Sequence, residues 1–210
     1  MGRLTFLLAL VVVLDACQLG ATAPPAPLAS PTPHTPPTVA VLMPSDVQPP
    51  LGHCSNSGSI ASYLAAVGAV SPDLATKVSS QWQALKKLGA TDAAIALFTA
   101  DPAACSAELA ASGSVKSEAS FVAQFVDEGA ADRAWQAGVL GFAPPNLGEL
   151  PPGVTRGAGT GLGDSSWTFD RAPVRLASWR KSVFVAVVVV TNLDAGVMAA
   201  ATAAVDPRLT

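Results

Sequence analysis

The sequence predicts an α+β domain: an N-terminal helical segment, then an antiparallel (in part mixed) sheet with helices packed on one face. Three observations lead there. The run Ser182-Val-Phe-Val-Ala-Val-Val-Val-Val-Thr191 is β-branched and has almost no polar face, which suits a central strand covered on both sides. A strand, cap, helix order occurs twice, at residues 119–139 and 183–205, so two β–α units are expected in one sheet. Residues 55–112 instead carry apolar positions at helical spacing behind cap and proline signals.

In that helical part, Ser59 caps a helix to Gly68, with Ile60, Tyr63, Leu64 and Val67 on one face. Ser71-Pro72 starts a second, in which Leu74, Val78, Trp82, Leu85 and Leu88 recur before Gly89 ends it. Thr91 is expected to cap a third helix carrying Ile95, Leu97 and Phe98. Asp101-Pro102 repeats the start signal for a short helix over 103–111. Trp82, at helical spacing, reads as core.

The sheet part spans 117–210. Residues 119–126 alternate, with Phe121, Ala123 and Phe125 on one side, and Asp127 caps the helix that follows. A Pro- and Gly-rich loop covers 141–153. Short strands are expected at 154–160, 165–170 and 174–180, the last turning tightly at Arg180-Lys181 into the valine-rich strand. An alanine-rich helix ends the chain at Asp206-Pro207.

At the other end, Arg3 precedes an apolar core, residues 4–14, too short to span a bilayer as an ordinary helix and of the length of an export signal. Leu14-Asp15-Ala16-Cys17 resembles the lipobox of bacterial lipoproteins, although Asp15 stands where that family has a small or apolar residue. The resemblance implies cleavage before Cys17 and acylation of that residue, with a secreted protein as the alternative. The organisation expected is then a signal peptide over 1–16, a proline-rich tether over 17–40 in extended polyproline conformation, and one domain over 41–210. With Cys17 lipidated, Cys54 and Cys105 remain as an even pair, expected to form a disulfide in an oxidising compartment. A metal site on His53, Cys54 and Cys105 is the poorer reading, because adjacent residues are badly placed to share one ion.

The chain has 210 residues, 13% of them charged, and a net charge of −3. No basic footprint invites nucleic acid. Only His53 could serve a triad in the domain, and no Gly-x-Ser-x-Gly elbow accompanies it, so no catalytic residues, cofactor or metal are expected. Carboxylate pairs such as Asp164 with Asp170, or Asp127 with Glu128, have plainer uses as turns and caps. Gly157-Ala-Gly-Thr-Gly-Leu-Gly163 lacks the spacing of a phosphate loop and reads as a turn. Arg171, Arg175, Arg180 and Lys181 form a local basic cluster, in which strand alternation would let Arg171 and Arg175 face alike near Trp167 and Trp179.

Residues 119–209 hold a Phe/Val strand, an alanine-rich helix, Gly161-Leu-Gly-Asp-Ser-Ser-Trp167, Trp179-Arg-Lys-Ser-Val-Phe-Val-Ala186 and Asp206-Pro-Arg-Leu209. This half resembles PknH-like extracellular sensor domains and small actinobacterial lipoproteins. The resemblance implies an α+β sandwich-like domain without known catalytic residues, displayed outside the cytoplasmic membrane, with a pocket or cleft beside the sheet; a monomer in the cell envelope is expected. A pocket lined by Trp135, Phe142, Trp167 and Trp179, rimmed by Arg171 and Arg175, would mark a non-catalytic module for an envelope ligand or partner. A pocketless surface would mark an adaptor, and clustered carboxyls with raised pKa in a cleft would mark a hydrolase.

Overall fold

The computed structural model describes residues 33–106 and 115–210. The expected signal segment, Cys17, the tether up to residue 32 and residues 107–114 lie outside them. The folded unit begins at Pro33. Residues 33–40, read from sequence as the end of the tether, therefore belong to the domain. There the short helix α1 (Pro37–Ala40) buries Ala40 completely, and Thr35 N–H donates to the carbonyl of Thr210 at 2.8 Å.

Two short strands, β1 (Gly52–His53) and β2 (Gly58–Ser59), lead into α2 (Ile60–Gly68) and α3 (Pro72–Lys87). Both helices start where cap chemistry places them: Ser59 Oγ accepts from Ser62 N–H at 3.2 Å, and Pro72 opens α3. Next come β3 (Ala90–Thr99), a 3₁₀ turn (Pro102–Ser106), β4 (Ser117–Phe125) and α4 (Glu128–Ala137). Asp127 caps α4 by accepting from Ala130 N–H at 2.7 Å. The remainder is β5 (Val154–Arg156), β6 (Ser166–Arg171), β7 (Val174–Lys181), β8 (Phe184–Thr191) and α5 (Ala195–Val205).

The strands form one sheet of order β1-β3-β4-β8-β7-β6-β5, with β2 also paired to β3. Every pairing is antiparallel. The valine-rich strand is central, and all of its residues are buried. Val185, Val187 and Val189 pack with α2, α3 and α4. Phe184, Ala186, Val188 and Val190 pack with α1, α5 and Leu209. Helices thus cover both faces, not one. The two β–α units, β4–α4 and β8–α5, are both present. Because β4 and β8 run antiparallel, their helices leave from opposite ends of the sheet, and they settle on opposite faces.

The helix expected from Thr91 is the strand β3. Alanine favours helix by only fractions of a kcal/mol per residue. Here Ala93 to Thr99 are buried on both faces between β4 and the two short strands, and small side chains allow that close cover. Thr91 Oγ1, instead of capping, donates to Gln124 O at 3.2 Å. Cys54 and Cys105 form the expected disulfide, with Cα atoms 5.6 Å apart. It pins the 3₁₀ turn to the segment after β1, against Leu97 and Ala119. Among the described residues no helix is long and apolar enough to cross a membrane.

Candidate functional site: a cleft over Glu118

The aromatic residues singled out from sequence do not share a pocket. Trp135 and Trp167 are buried on the face covered by α2–α4, whereas Trp179 is buried on the α5 face. Trp179 Nε1 donates to Asp206 Oδ1 at 3.1 Å, a core role. The Arg156 guanidinium lies over the Trp135 ring, 5.4 Å from its centre. Phe142 borders a separate slot of about 50 Å³ with Tyr63, Val78 and Leu140.

The two arginines do not face alike. β6 and β7 are joined by a two-residue turn, so Arg171 pairs with Val174 and Asp170 with Arg175. Side chains opposite each other in a ladder share a face. Arg171 therefore lies on the Val174 side, its stem over Gly153, and Arg175 lies on the α5 side. Arg175 Nε donates to Asp170 Oδ1 at 2.7 Å and its Nη1 to the carbonyl of Leu193. Arg180 pairs with Asp132 at 3.4 Å, and Lys181 with Asp206 at 2.7 Å. Arg175, Arg180 and Lys181 are thus spent on local partners, while Arg171 is exposed. The glycine-rich turn is structural too: Thr160 Oγ1 donates to Gly157 O at 3.0 Å and accepts from Leu162 N–H at 3.0 Å. Across from it, Met198 and Thr202 of α5 border an open groove of about 540 Å³.

The site with chemistry lies at the other flank of α5. A cleft of about 390 Å³ runs between the 46–51 loop and the first turns of α5. Glu118 of β4 lines it, in phase with Ser120 and Val122 on the α5 face. It stands in one cross-sheet row: His53, Phe98, Glu118, Val190, Arg175, Asp170. The Glu118 residue is only 3% exposed, and its carboxyl has no hydrogen-bond partner among the described residues. Pro49, Pro50 and Leu51 form an apolar wall, faced by Leu193, Val197 and Ala200.

Three interactions build this shape. Arg208 Nη1 and Nη2 grip Asp46 Oδ2 and Oδ1, each at 2.8 Å, and Nη1 also reaches Val41 O at 2.9 Å. Met43 N–H adds a bond to Asp46 Oδ2 at 2.7 Å, so this loop is pinned. On the opposite wall, Arg175 holds the Leu193 carbonyl just before α5. The α5 cap residue, Asp194, makes no side-chain capping bond and is one of the residues that line the cleft.

The electrostatics separate the two inner carboxyls. The hydrogen bond from Arg208 holds Asp46 below the usual carboxylate range. Burial, with a smaller contribution from the charge of Asp46, pushes Glu118 up to about 7. One carboxylate is locked and ionised, while the other is poised to gain or lose a proton near neutrality. Among the described residues no group of three or more His, Cys, Asp or Glu side chains could hold a metal ion.

Glu118, Asp46 and Arg208 were not singled out from sequence. An acidic residue in phase with Ser120 and Val122 of a buried strand was the available signal for Glu118. Beginning that strand at Ala119 left it outside. Comparison with protein-family models, with curated proteins and with solved structures finds no match.

Proposed function

We propose that this is a non-catalytic, lipid-anchored domain outside the cytoplasmic membrane that binds a ligand in the Glu118 cleft. One observation carries the binding part: Glu118, a residue only 3% exposed, brings to the wall of the cleft a carboxyl that has no hydrogen-bond partner among the described residues. Burying such a group costs free energy unless something completes its interactions. The cleft volume also falls within the range of small-molecule sites, about 300–1,000 Å³. Anchoring rests on the sequence of residues 1–17, and the disulfide between Cys54 and Cys105 is consistent with an oxidising compartment. Ligand-observed NMR of the full chain against small amines, acids, alcohols and sugars tests the site. Binding that Ala200→Trp abolishes is the expected result. An absence of binding, or binding that this substitution leaves unchanged, overturns the reading.

The raised pKa of Glu118 favours a second reading, a hydrolase with Glu118 as general acid. Against it, both oxygens of Asp46 are occupied by Arg208 and Met43, so Asp46 is not available as a nucleophile or base. Hydrolysis of a glycoside or ester that Glu118→Gln abolishes would reverse the preference.

A further inference from the structure

We infer that the cleft takes an ammonium group carried on a compact apolar body, with the ammonium donating to the Glu118 carboxylate. The inference rests on the reading of the cleft as a ligand site and adds the ligand's chemical class.

The charges facing Glu118 decide the sign. From the 46–51 loop comes Asp46, balanced by Arg208. From the α5 cap comes Asp194, with no arginine or lysine paired to it in a salt bridge among the described residues. From β7 comes Arg175, whose charge is committed to Asp170 and to the Leu193 carbonyl. His53 lies two strands away in the same row, its ring tilted at 52° against Phe98 with ring centres 4.9 Å apart. Among the described residues no Lys, Arg or His lines the cleft. An incoming anion would meet Glu118 and Asp194 with no free cation to offset them.

The unused hydrogen-bonding capacity is of the acceptor kind. Ionised Glu118 offers only acceptors, and an ammonium offers three donors. Its charge would also offset the cost that burial imposes on the carboxylate, which a neutral donor would do less well. The remaining lining fits the other end of such a molecule. Pro49, Pro50, Leu51, Leu193 and Val197 present carbon to carbon across the cleft.

Calorimetric titration of the full chain with hexylammonium, hexanol and hexanoate at pH 8 separates the possibilities, using wild type, Glu118→Gln and Ala200→Trp. The glutamine variant is near-isosteric, and its thermal transition reports that it is folded. The tryptophan variant adds bulk to the cleft from α5 and leaves Glu118 itself unchanged. Wild type should bind hexylammonium roughly tenfold or more tightly than either other probe, as expected for a charge-assisted bond. Glu118→Gln should erase that preference, and Ala200→Trp should erase binding. Equal or tighter binding of hexanol or hexanoate, or a preference that survives Glu118→Gln, overturns the ammonium assignment and leaves the cleft a ligand site. Wild type that binds none of the three overturns both.

Discussion

Arg208 and Asp46 hold each other through two parallel hydrogen bonds of 2.8 Å, joining the last turn of the chain to the loop that walls the cleft. The pair is 162 positions apart in sequence and mostly withdrawn from water, with side chains 25% and 11% exposed. A bidentate arginine–carboxylate pair fixes geometry as well as charge. It lets a carboxylate sit near Glu118 without unbalancing the site.

Breaking that pair should be costly. Arg208→Met leaves Asp46 charged and largely buried, and a loss of about 2–3 kcal/mol is expected, below the fully buried case because water reaches the arginine. Urea denaturation at pH 7 measures it. The folded-state pKa of Asp46 is depressed from 3.8. Its contribution is therefore present above pH 3.8 and lost as pH falls through the lower folded value. The variant should lack this acid-side loss.

Glu118 has the opposite linkage. Its folded pKa is raised from 4.5 to about 7. Between those values the folded state holds a proton that the unfolded state has released, so stability falls as pH rises and then levels off. The shift corresponds to on the order of 3 kcal/mol. Glu118→Gln should match wild type near pH 4 and exceed its stability by up to about that amount at pH 8. Denaturation curves at the two pH values decide this, and equal stability of the two proteins at pH 8 would count against it.

Much of the fold was readable because the decisive signals were local. Ser59, Pro72 and Asp127 mark helix starts by their own chemistry, and the unbroken apolar run of β8 shows that both its faces are covered. β3 was misread because alanine carries little strand signal and its cover comes from residues far away in sequence. The face of Arg175 was misplaced because the two-residue turn at Ala172-Pro173 sets the alternation across the hairpin. The cleft was least legible. Asp46, Glu118 and Arg208 come from three distant segments, and only the antiparallel order of the sheet brings them together.

The disulfide should contribute heavily. It closes a separation of 51 residues, and the loop-entropy model gives roughly 4 kcal/mol for such a closure. Replacing Cys54 and Cys105 together by alanine should lower stability by about that amount, read from urea midpoints of oxidised wild type and variant at equal pH.

Gly138 ends α4 at φ 94°, and a Cβ there would stand 2.9 Å from both Cα and Cβ of Ala143. Gly138→Ala is expected to cost about 2–3 kcal/mol, from the left-handed backbone and the overlap together. Thermal unfolding checks this, with Gly148→Ala as a control, since nothing lies within 4 Å of a Cβ at that position.

The most direct test of the central claim is the titration of the Glu118 side-chain carboxyl by ¹³C NMR, with and without hexylammonium. A midpoint near 7 that falls when hexylammonium is added is the result this account requires, because the ammonium favours the ionised form. A midpoint close to 4.5, unmoved by the amine, would contradict both the desolvation of Glu118 and the site built upon it.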